Sequence, residues 1–104
     1  MVADIEAVRA EARRYAAEAK AVMPIERVYL FGSYAKGTAH ELSDVDIAFF
    51  FYGLSDDEIF KFQKQLFHMN LNFNGWFEPL AFSMSDLDND NPFENEILST
   101  GIEL

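Results

Sequence analysis

Two carboxylates one residue apart, Asp44 and Asp46, follow the pair Gly32-Ser33 after an intervening stretch of ten residues. The run Val45-Asp46-Ile47-Ala48-Phe49-Phe50-Phe51 reads as a strand. Side chains at i and i+2 of a strand point to the same face, so Asp44 and Asp46 are expected to stand side by side. Adjacent carboxylates repel unless something positive lies between them. Hard oxygen donors of this kind suit Mg²⁺, which is held by one or two carboxylates together with substrate phosphates. Upstream, the apolar run Val28-Tyr29-Leu30-Phe31 delivers Gly32-Ser33 at the end of another strand. A glycine there lets a phosphate approach the backbone N–H groups closely, and Ser33 adds a hydroxyl donor. These residue types at this spacing predict a site for a metal-bound nucleoside triphosphate. The bland alternative is a pair of solvated acids at a strand end beside an ordinary turn.

The elements that must position these residues can be read from periodicity. From Ala3 to about Met23 the apolar positions Ile5, Val8, Ala12, Tyr15, Ala19 and Val22 recur at helical steps, and Pro24 ends the helix. Arg13 and Arg14 on it read as a solvated basic face. A strand over Arg27–Phe31 follows, then a short helix or turn through Tyr34-Ala35-Lys36 closed by Gly37. In the strand Val45–Phe51, Asp44, Asp46, Ala48 and Phe50 share one face and Val45, Ile47, Phe49 and Phe51 the other. The larger apolar set marks the covered side, which leaves the carboxylates on the less heavily covered face. Ser55 with Glu58 three residues later has the form of a capping box. It opens a helix that carries Ile59, Phe62, Leu66 and Met69 to about Asn70, with His68 on its solvated side. The turn-like Asn72-Phe73-Asn74-Gly75 leads to a third strand, Trp76–Phe82, in which Glu78 is the only charge and Pro79 favours an edge position. Pro92 suits the first turn of a last helix carrying Phe93, Ile97 and Leu98 and ended by Gly101. The predicted fold class is α/β: a small mixed β-sheet with helices packed mainly on one face, residues 1–104 forming a single domain.

Composition excludes several classes of function. The chain has 104 residues, half of them hydrophobic, with 11 Phe and no Cys. One core fits this length, whereas a disulfide framework and a thiolate metal site do not. No apolar run approaches the roughly 20 residues of a membrane span, so a cytoplasmic location with no membrane partner is expected. Net charge is −10 and unevenly spread. Residues 1–36 are close to balanced, while residues 37–104 hold 13 acids against Lys61 and Lys64 alone. Nucleic-acid affinity rests on Lys and Arg neutralising phosphates, so no nucleic-acid partner is expected, and a protein or a small molecule is the expected partner of the site. An acidic balance that merely keeps the domain soluble is the competing reading.

Gly-Ser, ten residues and Asp-X-Asp, as in Gly32-Ser33 to Asp44-Val45-Asp46, resembles the pattern of the DNA polymerase β-like nucleotidyltransferases. Within that superfamily the chain is most similar to the minimal nucleotidyltransferases, and Pro92-Phe93, Ile97-Leu98 and Gly101-Ile102-Glu103-Leu104 resemble the way such proteins end. The resemblance implies that Asp44 and Asp46 are catalytic and hold Mg²⁺, and that Gly32, Ser33 and Lys36 bind the nucleotide. A third acid on a neighbouring strand, matched here by Glu78, would complete the metal site and take the proton from the attacking hydroxyl. An exposed edge-strand Glu78 and an exposed loop Lys36 are the plain alternatives. The resemblance also implies ATP as substrate and a HEPN-domain ribonuclease toxin as partner, with AMP added to a tyrosine of the toxin, so that the protein is an antitoxin. Two other roles stay open: a catalytically silent module that blocks the toxin by contact, and a small-molecule nucleotidyltransferase.

Overall fold

The computed structural model describes residues 5–32, 45–73, 77–83 and 92–104. They form helix α1 (Ile5–Val22), strands β1 (Ile25–Phe31) and β2 (Val45–Phe51), helix α2 (Asp56–Asn70) and a 3₁₀ turn (Leu71–Phe73). Strand β3 (Phe77–Ser83), helix α3 (Pro92–Thr100) and a two-residue strand β4 (Ile102–Glu103) complete them. The four strands make one mixed sheet in the order β3-β2-β1-β4. β1 pairs antiparallel with β2 and with β4, whereas β2 and β3 are parallel. Parallel neighbours need a long crossover, and α2 supplies it.

Alternation sorts the sheet residues onto two unequal faces. On one, Val28, Leu30, Val45, Ile47, Phe49, Phe51 and Phe77 pack with Val8, Ala12, Tyr15, Ala16 and Ala19 of α1 and Leu66 of α2. Tyr15 sits at the centre of this layer, stacked on Phe73 at 4.9 Å and tilted against Phe49 at 5.2 Å. Its hydroxyl donates to the Leu66 carbonyl, and burial raises its pKa well above the ordinary value, so it stays protonated. The opposite face carries a smaller cluster, Tyr29, Phe31, Ala48 and Phe50, covered by Ile97 and Leu98 of α3. Phe49, Phe50 and Phe51 are each fully buried, and such burial contributes roughly 1.5–3 kcal/mol per side chain. The consecutive aromatics therefore tie both helical layers to one strand. Helices lie mainly on one face, as the patterning predicts.

Several local expectations are revised. Val22, placed on the apolar stripe by periodicity, is 61% exposed, and Met23 just past the helix end is buried instead. β1 starts at Ile25 and not at Arg27, because a bulge between these residues keeps Ile25 opposite Phe51. Arg14 is more than a solvated cation: its guanidinium lies 4.7 Å from the centre of the Phe73 ring and pairs with Glu11 and Glu18. β4 was not expected, since two residues give no alternation to read. Gly101 makes it possible: a Cβ there would fall on the Ile97 carbonyl and 3.2 Å from the Leu30 carbonyl oxygen. The chain can thus turn from α3 straight onto β1, where the Leu104 N–H donates to the Val28 carbonyl. The short helix expected at Tyr34–Lys36 lies outside the described residues, as do Ala3 and Trp76 at the starts of two expected elements.

The capping box at the start of α2 is formed. Ser55 Oγ accepts from the Glu58 N–H, and the Glu58 carboxylate accepts from the Ser55 N–H. The Ser55 N–H and, secondarily, the Ser55 hydroxyl, which also donates to the Glu58 carboxylate, hold the Glu58 pKa below its ordinary value of 4.5. A depressed carboxylate pKa stabilises the fold above the unfolded value and loses that contribution as pH falls through the folded one. Circular dichroism of a Ser55→Ala variant should show α2 less stable than in the parent at pH 7, by about 1 kcal/mol. The difference should shrink as the pH drops below 4.5, where Glu58 protonates in both proteins.

Candidate active site

The C-terminal end of β1 meets the N-terminal ends of β2 and β3 at one border of the sheet. Pairing places Phe31 opposite Asp46 on one side of β2 and Glu78 opposite Asp46 on the other. Paired residues on neighbouring strands project to the same face and lie about 4.8 Å apart, so Asp46 and Glu78 form adjacent carboxylates. Asp46 is half-buried and Glu78 exposed. Further along the same face Ala48 and Phe50 have no exposure at all. Among the described residues the face is thus closed below the acids by apolar packing, and the acids lie at this border of the less heavily covered face.

Gly32 follows Phe31 at the same border with a φ of 77°, a left-handed conformation that suits glycine. A Cβ at Gly32 would fall on Asp46 Oδ2 and lie 3.4 Å from its carboxyl carbon. Glycine was expected here so that a phosphate could come close. Among the described residues the neighbour of Gly32 is the Asp46 carboxylate, which occupies the space that a side chain would take. Of the residues singled out from sequence, Gly32, Asp46 and Glu78 are therefore brought together. Ser33, Lys36 and Asp44 lie outside the described residues.

Hard oxygen donors at the sheet border are of the kind that suits Mg²⁺ shared with phosphates. Among the described residues no group of three or more His, Cys, Asp or Glu side chains is placed to hold a metal. Asp46 and Glu78 are two of the three acids that the sequence pattern assigns to a metal, and the third, Asp44, lies outside the described residues.

Two polar side chains bonded to the strand that carries Glu78 went unread in the sequence. Gln63 and Asn70 of α2 bond the backbone of β3 on either side of Glu78. The signal was present: positions 59, 63, 66 and 70 form one helical stripe, and two amides interrupt its apolar residues. Glu94, one of the acids of the C-terminal segment, is buried at 2% exposure on α3.

A mixed α/β core with paired acids beside a strand-Gly turn defines a nucleotidyltransferase type of domain, and comparisons place it. Residues 15–104 match the family model described as Polymerase beta, Nucleotidyltransferase. The chain belongs to this family. Its fold is similar to the crystal structure of a nucleotidyltransferase-like protein from Sulfolobus solfataricus, with a TM-score of 0.61 and 26% identity over 75% of this chain and 68% of that one. It is also similar to a toxin-antitoxin crystallised with AMP-PNP, with a TM-score of 0.55 and 19% identity over 86% of this chain and 69% of the other. A mutant of the toxin-antitoxin MntA-HpeT gives a TM-score of 0.54 and 18% identity over 88% and 70% of the two chains. Among curated proteins, none matches the chain significantly. No helix among the described residues is long and apolar enough to cross a membrane.

Proposed function

We propose that residues 1–104 form a single Mg²⁺-dependent nucleotidyltransferase domain that transfers AMP from ATP to a protein hydroxyl, a tyrosine of a cognate HEPN ribonuclease toxin, and acts in the cytoplasm as its antitoxin. The observation that carries the chemistry is the register of Asp46 with Glu78 beside Gly32, inside a domain of the nucleotidyltransferase family. The choice of partner draws support from the fold shared with two toxin-antitoxin proteins, one of them crystallised with AMP-PNP. A net charge of −10 favours a protein acceptor over a polyanionic one.

In this reading Asp44, Asp46 and Glu78 would hold the metal, which supplies charge neutralisation at the phosphates when bound. Gly32 and Ser33 orient the triphosphate through backbone N–H groups and a hydroxyl, and Lys36 pairs with a phosphate oxygen. The acceptor hydroxyl attacks the α-phosphorus: a new O–P bond forms there, the bond to the β-phosphate oxygen breaks, and pyrophosphate leaves. Glu78 takes the hydroxyl proton. Ala48 and Phe50 behind the acids exclude water from the inner side of the site.

Mass spectrometry of the toxin co-expressed with this protein tests the proposal. One added nucleoside monophosphate on a toxin tyrosine is expected, absent when Asp44 and Asp46 are both changed to Asn. If the double variant neutralises the toxin in cells as well as the parent does, transfer is not the antitoxin activity and binding alone accounts for it.

A further inference from the structure

Strand β3 lies at the border of the sheet, with β2 on one side only. Its outward backbone groups would ordinarily be left to water or to another strand. Two side chains of α2 take them instead. Gln63 Nε2 donates to the Pro79 carbonyl at 2.7 Å, and Gln63 Oε1 accepts from the Ala81 N–H at 2.7 Å. Two turns further on, Asn70 Nδ2 donates to the Phe77 carbonyl at 2.6 Å, and Asn70 Oδ1 accepts from the Phe77 N–H at 3.2 Å. Each primary amide thus presents one donor and one acceptor, as a neighbouring strand would. Pro79 fits this scheme, because Gln63 asks only for its carbonyl and the missing proline N–H leaves no partner unmatched.

Glu78 lies between the clasped residues, Phe77 before it and Pro79 after it, while its own pairing partner is Asp46 on β2. The strand is held from both edges across the residue that carries the exposed carboxylate. Asn70 is buried and Gln63 half-buried, so water competes poorly for these bonds. If their only use were to blunt a sheet edge, charged or bulged residues on the strand would serve as well. Bonds to the residues on both sides of Glu78 do something more specific: they resist its displacement along and away from β2.

We propose that Gln63 and Asn70 are positioning residues that set the Glu78 carboxylate against Asp46 for metal binding. This rests on the reading of Glu78 as a metal-binding carboxylate.

Mn²⁺ alone, titrated by electron paramagnetic resonance without nucleotide, is the probe, with thermal unfolding measured in parallel. Gln63→Ala should weaken Mn²⁺ binding by about 10-fold or more, the range seen when groups supporting metal ligands are removed, at temperatures where the variant is folded. Glu78→Gln should weaken it at least as much, and the double variant no further than Glu78→Gln alone, because residues acting through one another are not additive. Should Gln63→Ala fail to fold, Gln63→Glu takes its place: it keeps the shape and the acceptor toward Ala81 but loses the donor toward Pro79, and an intermediate loss is expected. A purely structural clasp predicts a lowered melting temperature with Mn²⁺ affinity unchanged, and that result overturns the proposal. If Glu78→Gln itself leaves Mn²⁺ affinity unchanged, the reading of Glu78 fails first and the positioning role falls with it.

Discussion

Glu78→Gln is expected to slow nucleotidyl transfer by about 10²–10⁴-fold, the range for losing positioned acid–base catalysis, while nucleotide binding is retained. Glutamine keeps the size and hydrogen-bonding reach of the side chain but neither accepts the acceptor's proton nor carries charge toward a metal. Glu78 sits in register with Asp46, so the lost group is at the proposed reacting centre. In the proposed site Asp44, Asp46 and Ser33 would still hold a triphosphate, which would bring its own oxygen ligands to the metal. Free Mn²⁺, with no phosphates to share its coordination, is more sensitive to the change. A surface glutamate with no such role predicts a stability change within about ±0.5 kcal/mol and no kinetic effect. Single-turnover transfer to the co-purified partner separates the two. Unchanged rates would move the proton acceptor to another acid, with Glu41, three residues before Asp44, the next to substitute.

The part of this site legible in the sequence was the part carried by spacing. Alternation along Val45–Phe51 announces which face Asp46 takes, and β2 has the expected bounds and faces. The box of Ser55 and Glu58 marks the start of α2 to the residue, because capping is a local interaction within one turn. Glu78 stood out as the one charge in an apolar run, yet its place beside Asp46 depends on strand order and register, which arise from the packing of α2 across the sheet. The same limit hid Gln63 and Asn70, whose bonding partners are 7 to 18 residues away and on another element. The two-residue β4 was hidden for another reason: its pairing to Tyr29 and Leu30 follows from the sharp turn at Gly101 and not from any hydrophobic pattern.

Gly32→Ala should damage both the turn after β1 and the proposed site, for two separable reasons. At a φ of 77° an alanine is strained, by roughly 1–2 kcal/mol for a left-handed residue bearing a Cβ. The added methyl also falls on Asp46 Oδ2, so either the turn after β1 shifts or the carboxylate rotates away from Glu78. Both movements misplace the group that should hold the metal-bound triphosphate, and misplacement by about 1 Å is enough to cost on the order of 10²-fold in rate. Thermal unfolding and isothermal titration with Mg²⁺ and ATP are therefore expected to worsen together. Gly53→Ala serves as the control, since a Cβ there meets nothing within 4 Å, and it should leave both measurements near those of the parent. Adding Asp46→Ala to Gly32→Ala removes the collision but not the strain at φ. The double variant should recover part of the lost melting temperature and none of the nucleotide binding. Nucleotide affinity that survives Gly32→Ala intact would mean that the close approach of Gly32 and Asp46 belongs to the fold alone and not to the site.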